Sequence, residues 1–172
     1  SMISRRTIMK SLGLLTAATL LDGAKEAAAM ANRQDVWFMP DESDPHERTW
    51  MAFGASQEIW DRKLLPDVQR NLATIALSIL VRQSDLPRAQ QLMGDKVDLI
   101  VCPLDDLWVR DTGPVFVVTE HGGKAGVDFN FNGWGEKQDF DDDAEVAAFV
   151  TQRAGVRRMQ TDLVLEGGGI EV

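Results

Sequence analysis

Cysteine occurs once, at Cys102, which excludes an internal disulfide framework. Positive charge is scarce: 18 Lys and Arg stand against 27 Asp and Glu, a net charge of -9. The imbalance grows once the N-terminus is set aside. Residues 1–29 hold Arg5, Arg6, Lys10 and Lys25 against Asp22 and Glu26, which leaves 14 basic and 25 acidic side chains in residues 30–172. Such a chain repels nucleic-acid phosphates and anionic membrane surfaces. It suits a cationic small substrate, although an acidic surface is also an ordinary solubility feature. The apolar run from Leu12 to Leu21 is too short to cross a bilayer, so no stable membrane anchor is expected. Histidine is rare as well, and both His46 and His121 read as structural or exposed. No internal repeat and no low-complexity linker follows residue 35.

What is present begins with a targeting pattern. Ser1 precedes Met2 and reads as a cloning remnant. SRRTIMK follows, then the apolar run, then AKEAAAMA. A basic start, a short apolar stretch and a small-residue exit make a secretory signal. The paired Arg5 and Arg6 are similar to the twin-arginine export signal of bacteria. Residues 1–31 are therefore expected to be a signal peptide outside the fold, with export to the periplasm or beyond. If the signal is not used, the protein stays in the cytoplasm. The folded domain is expected over 32–172.

Within that domain, apolar spacings of three and four predict a helix from Trp60 to Val81, with Pro66 in its first turn. Leu86–Met93 reads as a second, shorter helix. VDLIVC (97–102) reads as a strand. PVFVV (114–118) and VDFNF (127–131) flank HGGK (121–124) and read as a hairpin. Asp141 to Ala154 reads as a helix ended by Gly155. VRRMQ (156–160) and the final LVLEGGGIEV (163–172) follow, with Glu166 placed at the end of a strand. Alternating strands and helices define an α/β or α+β class.

The candidate chemistry lies in the loops. Asp105, Asp106 and Asp111 cluster after a strand. Trp134 sits between two glycines in FNGWGEK (131–137), and Glu166 directly precedes three. Glycines permit positive φ and close backbone approach to a ligand. Two carboxylates with indole walls suit a planar cation, because a guanidinium pairs with carboxylates two-pronged and is attracted to a tryptophan face. In WVRDTGP, Arg110 and Asp111 are adjacent; on an extended chain they point to opposite sides, which leaves Asp111 free for another cation. Each feature also has a plain structural reading, as turn former, core aromatic or surface lysine such as Lys137. Cys102 lies in an apolar strand and reads as an inert buried thiol.

Four motifs occur in order: MPDESDPHERTWMAF (39–53), DDLWVRDTGP (105–114), FNGWGEK (131–137) and LEGGGIEV (165–172). Together they closely resemble the agmatine deiminase and bacterial peptidyl-arginine deiminase family. The resemblance implies a pentein fold, here a partial α/β propeller of ββαβ units. It implies hydrolysis of a guanidinium carbon with no metal and no organic cofactor, by covalent attack of a cysteine thiolate. Agmatine would give N-carbamoylputrescine and ammonia; peptidyl-arginine would give citrulline. Carried over by motif, Asp111 and Glu166 grip the guanidinium, while Asp106, Trp108 and Trp134 belong to the substrate channel.

The family's histidine and nucleophilic cysteine lie beyond the LEGG motif, and His46, His121 and Cys102 do not match them. Ser43 stands where many relatives carry Trp, which blurs substrate choice. ALSILVRQSDLP shows no turn signal where the family places a loop and a strand. The expectation is therefore the N-terminal part of an agmatine deiminase, inactive by itself. The alternatives are peptidyl-arginine as substrate, a non-catalytic guanidinium-binding module, and a piece that associates with itself or with a missing C-terminal half.

Overall fold

The computed structural model describes residues 35–53 and 77–172. The chain divides into Ser1–Val36 and Trp37–Val172, and every strand and helix described belongs to the second unit. The signal-peptide reading and most of the predicted Trp60–Val81 helix, with Pro66, lie outside the described residues.

Two three-stranded sheets carry the fold. In the first, β1 (Thr49–Ala52), β2 (Leu77–Val81) and β3 (Asp98–Val101) pair in that order, all parallel. Helix α1 (Leu86–Met93) connects β2 to β3. In the second sheet, β4 (Val115–Val118) pairs antiparallel with β5 (Lys124–Asp128), and β5 pairs parallel with β6 (Arg157–Gln160). Helix α3 (Val146–Ala154) connects β5 to β6, and Gly155 ends it at φ 68°, ψ 28°. Helical turn α2 (Val109–Thr112) joins the two sheets in sequence. The second sheet thus follows the ββαβ order that the resemblance implies, while the connection from β1 to β2 in the first lies outside the described residues.

The end of the expected helix is the strand β2, and the reason is burial. Ile79, Leu80 and Val81 are fully inaccessible. Ile79 and Val81 face a cluster with Phe53, Ala89, Met93 and Val97. Leu80 faces the opposite cluster with Ala52, Ile100, Cys102, Leu104, Val146 and Val150. A central parallel strand is apolar on both faces, so its sequence shows no alternation and imitates a buried helix. LSILV is accordingly the strand that ALSILVRQSDLP was expected to lack. The turn after it is held by Arg82 Nε donating to Asp85 at 2.9 Å.

Helix α3 serves both sheets. Val146 and Val150 enter the second cluster, while Thr151 lies against Gly126 of β5. A side chain at Gly126 would meet Thr151 and the Pro114 ring, so only glycine lets helix and sheet approach this closely. The helix is shorter than Asp141–Ala154: a 3₁₀ turn, Asp143–Glu145, precedes it. Strand β5 ends at Asp128 rather than at Phe131, because Asn130 takes a left-handed φ of 53°. Residues 163–166 form no strand; an extended segment leads into a single 3₁₀ turn, Gly167–Gly169.

Candidate guanidinium site

The motif residues come from one end of the parallel strands. β3 leads into residues 102–111, β5 into 129–136, and β6 into 161–169. Ligands of α/β sheets commonly bind outside the carboxyl ends of their strands.

Asp111 lies in the helical turn α2, not on an extended chain. Its backbone N–H donates to Trp108 O at 2.8 Å. Arg110 nevertheless does not neutralise it, because the Arg110 guanidinium pairs with Glu42. Asp111 Oδ1 accepts from the backbone N–H of Gly168 at 3.0 Å. That bond joins the WVRDTGP motif to the EGGG motif. Gly167 packs against the carbonyl of Arg110 and Gly168 against the Asp111 carboxylate, positions where any Cβ would collide. Of the three glycines after Glu166, the first two are therefore required by contact between the two motifs. Asp111 and Glu166 are both half-buried; each keeps solvent access while its backbone is fixed.

The Glu166 segment is held by side chains instead of strand pairing. Asn130 Nδ2 donates to the carbonyls of Thr161 and Leu163, the latter at 3.0 Å. Leu165 N–H donates to Phe129 O at 3.0 Å. A left-handed asparagine costs little compared with other residues, and here it ties the exit of β5 to the approach of Glu166.

The Asp111 segment is fixed from below by a residue that sequence reasoning missed. Asp143 is completely buried. Its carboxylate accepts from Asp105 N–H at 2.9 Å and from Asp106 N–H at 3.2 Å. Asp105 returns the contact, accepting from Asp142 N–H at 2.9 Å and Asp143 N–H at 3.2 Å. Burial raises the Asp143 carboxyl above the usual carboxylate range, opposed by the two backbone donors. In sequence Asp143 is one of three consecutive aspartates, and nothing local distinguishes it from its solvated neighbours.

Asp106 and Trp108 meet each other. Asp106 Oδ2 accepts from the Trp108 indole N–H at 3.1 Å, and Oδ1 accepts from Leu107 N–H at 2.7 Å. Trp108 is 49% exposed. Trp134 occupies a left-handed turn: Gly133, Trp134, Gly135 and Glu136 all have positive φ, from 56° to 82°. The N–H groups of Glu136 and Lys137 bond back to Asn132 and Gly133, and Asn132 Oδ1 accepts from Gly135 N–H at 2.9 Å. The Trp134 ring stands edge-on to Phe131 at 4.9 Å. Among the described residues no hydrogen bond or ring contact joins Trp134 to Asp111, Glu166 or Trp108.

Two other candidates stay apart from these groups. Cys102 is 3% exposed, and burial, with the charges of Asp142 and Asp143, pushes its thiol up to about 11. It is protonated at neutral pH, and a thiol rather than a thiolate is a poor nucleophile. A cavity of about 490 Å³ is lined by residues including Met39, Pro40, Trp50, Arg110 and Phe116, and Gly167 reaches its wall while Asp111 and Glu166 do not. Among the described residues no group of three His, Cys, Asp or Glu side chains is arranged to hold a metal ion.

Two small mixed α/β layers with acidic loop motifs at the strand ends fit a partial pentein fold, and comparison with known proteins agrees. The family model for Porphyromonas-type peptidyl-arginine deiminase matches residues 38–172. The chain belongs to that family. A Streptomyces avermitilis relative is 36% identical over 149 residues, covering 80% of this chain and 43% of its own length. The agmatine deiminase of Stutzerimonas stutzeri is 34% identical over 155 residues, 81% of this chain and 42% of that protein. Among solved structures, the agmatine deiminase of Enterococcus faecalis superposes with a TM-score of 0.70 at 29% identity, over 79% of this chain and 41% of its own. The chain thus spans about two fifths of the length of the relatives it matches.

Proposed function

We propose that this chain supplies the guanidinium-gripping carboxylates of an agmatine deiminase, Asp111 and Glu166, and not its nucleophile. The reaction would be hydrolysis of agmatine to N-carbamoylputrescine and ammonia through a cysteine-bound intermediate. The observation that carries this reading is the Gly168 N–H bond to Asp111 Oδ1 at 3.0 Å. It seats two acidic motifs, distant in sequence, against one another with their carboxylates half-buried. The agmatine deiminases among the relatives favour agmatine over peptidyl-arginine as substrate. Cys102 is unsuited to attack, so the chain alone releases no ammonia. Ammonia release from agmatine, measured beside Asp111→Ala, tests this. Release that disappears in Asp111→Ala would show a catalytically complete chain and refute the assignment.

We also propose that Arg5 and Arg6 direct export by the twin-arginine route. Replacing both by Lys should then hold the protein in the cytoplasm, and unchanged periplasmic recovery would refute export by that route.

A further inference from the structure

Both carboxylate oxygens of Asp106 are already engaged within the protein. One oxygen is taken by its neighbour's N–H, Leu107 at 2.7 Å, and the other by the Trp108 indole N–H at 3.1 Å. Its own backbone is anchored on the buried carboxylate of Asp143. Trp108 needs such a hold. It is 49% exposed, so packing alone does not fix its ring. It also stands one helical turn before Asp111, whose N–H bonds to its carbonyl at 2.8 Å. Trp108 is the N-cap of α2, with φ -82° and ψ 59°, so this backbone bond is what ties it to Asp111. An indole that donates to a carboxylate becomes richer in electrons, and its face attracts a cation more strongly.

Resting on the guanidinium reading of the site, we infer that Asp106 is a positioning residue that fixes the Trp108 indole beside Asp111, and not a ligand of the substrate. The chain from Asp143 through the Asp106 backbone to the Asp106 carboxylate transfers rigidity from the core to an exposed aromatic face. Asp106 thereby acts through Trp108, while Asp111 and Glu166 act on the cation directly.

The indole N–H resonance of Trp108, assigned with Trp108→Phe, reports this in the intact chain. It should lie downfield and exchange slowly with solvent. In Asp106→Asn it should move upfield and exchange faster, while the Trp50 and Trp134 indoles stay in place and certify the fold. Agmatine should shift the wild-type resonance, with a half-effect concentration roughly ten-fold higher in Asp106→Asn. Asp106→Glu, which keeps a carboxylate, should recover part of the indole shift. A Trp108 resonance unmoved by Asp106→Asn overturns the inference, and agmatine binding lost without an indole shift would make Asp106 a substrate ligand. If Asp106→Asn does not fold, a wild-type indole that exchanges as fast as free tryptophan overturns the inference alone. If agmatine leaves the wild-type resonance unmoved while Asp106 still controls it, the guanidinium reading fails and the positioning role stands.

Discussion

Replacing Asp143 by alanine removes the acceptor for two backbone donors, Asp105 N–H and Asp106 N–H. A buried donor left without a partner costs about 1–3 kcal/mol. Asp105 and Asp106 are half-buried, so the lower part of that range applies to each, and the pair should cost about 2–3 kcal/mol. Asp143→Asn keeps one acceptor oxygen and should cost less than about 1 kcal/mol at neutral pH. The difference between these variants and the wild type carries a pH signature. Burial raises the folded-state carboxyl of Asp143 above its ordinary 3.8. The folded chain therefore holds that proton more tightly than the unfolded chain. The resulting stability is full below the unfolded value and is lost as pH rises through the folded one. The wild type should thus lose ground to Asp143→Asn as pH rises from the ordinary carboxyl value of 3.8 through the raised folded-state one. Urea unfolding reads both effects: with a slope near 1.5 kcal/mol/M, the alanine variant should shift its midpoint by roughly 1.3–2 M. An alanine variant within about 0.5 kcal/mol of wild type, or a gap between Asn and Asp that ignores pH, would refute the reasoning.

Arg158→Met should strand the buried Asp128, which the arginine meets at 2.6 Å and 2.9 Å. The expected cost is about 3 kcal/mol by thermal unfolding, with partial recovery when Asp128→Asn is added; a single variant as stable as wild type would contradict this. Gly126→Ala should cost about 1–3 kcal/mol by overpacking against Thr151 and Pro114. Adding Thr151→Ser removes the obstructing methyl but keeps the hydroxyl bonds to Ala147 and Ala148, so denaturant midpoints should show some of that loss restored.

The sequence was legible where local chemistry decided the outcome. Leu86–Met93 is a helix to the residue, the HGGK turn joins two strands, and Gly155 ends α3 in the left-handed region. It was misleading where tertiary burial decided. LSILV reads as helix because β2 is covered on both faces. LVLEGGG reads as strand because it is apolar, yet Leu163, Val164 and Leu165 are exposed and the segment is held by Asn130. At the site, the freedom of Asp111 from Arg110 holds although its premise of an extended chain does not, and Glu166, expected at a strand end, precedes a 3₁₀ turn instead. Two features could not be read at all. Asp143 is chosen from an acidic run only by what packs over it. The left-handed turn at Gly133–Glu136 needs two non-glycine residues at positive φ, a conformation that costs about 1–2 kcal/mol per residue and that local preference argues against.

The central claim is that Asp111 and Glu166 together hold a guanidinium group. Calorimetric titration of the chain with agmatine, beside putrescine as the same amine without the guanidinium, tests it most directly. The account predicts saturable agmatine binding in the range of about 1 mM, consistent with a partly solvated charge pair. Binding should be lost in Asp111→Asn and in Glu166→Gln, and putrescine should not bind. Agmatine binding that is absent from the wild type, unchanged in both variants, or matched by putrescine would contradict the account.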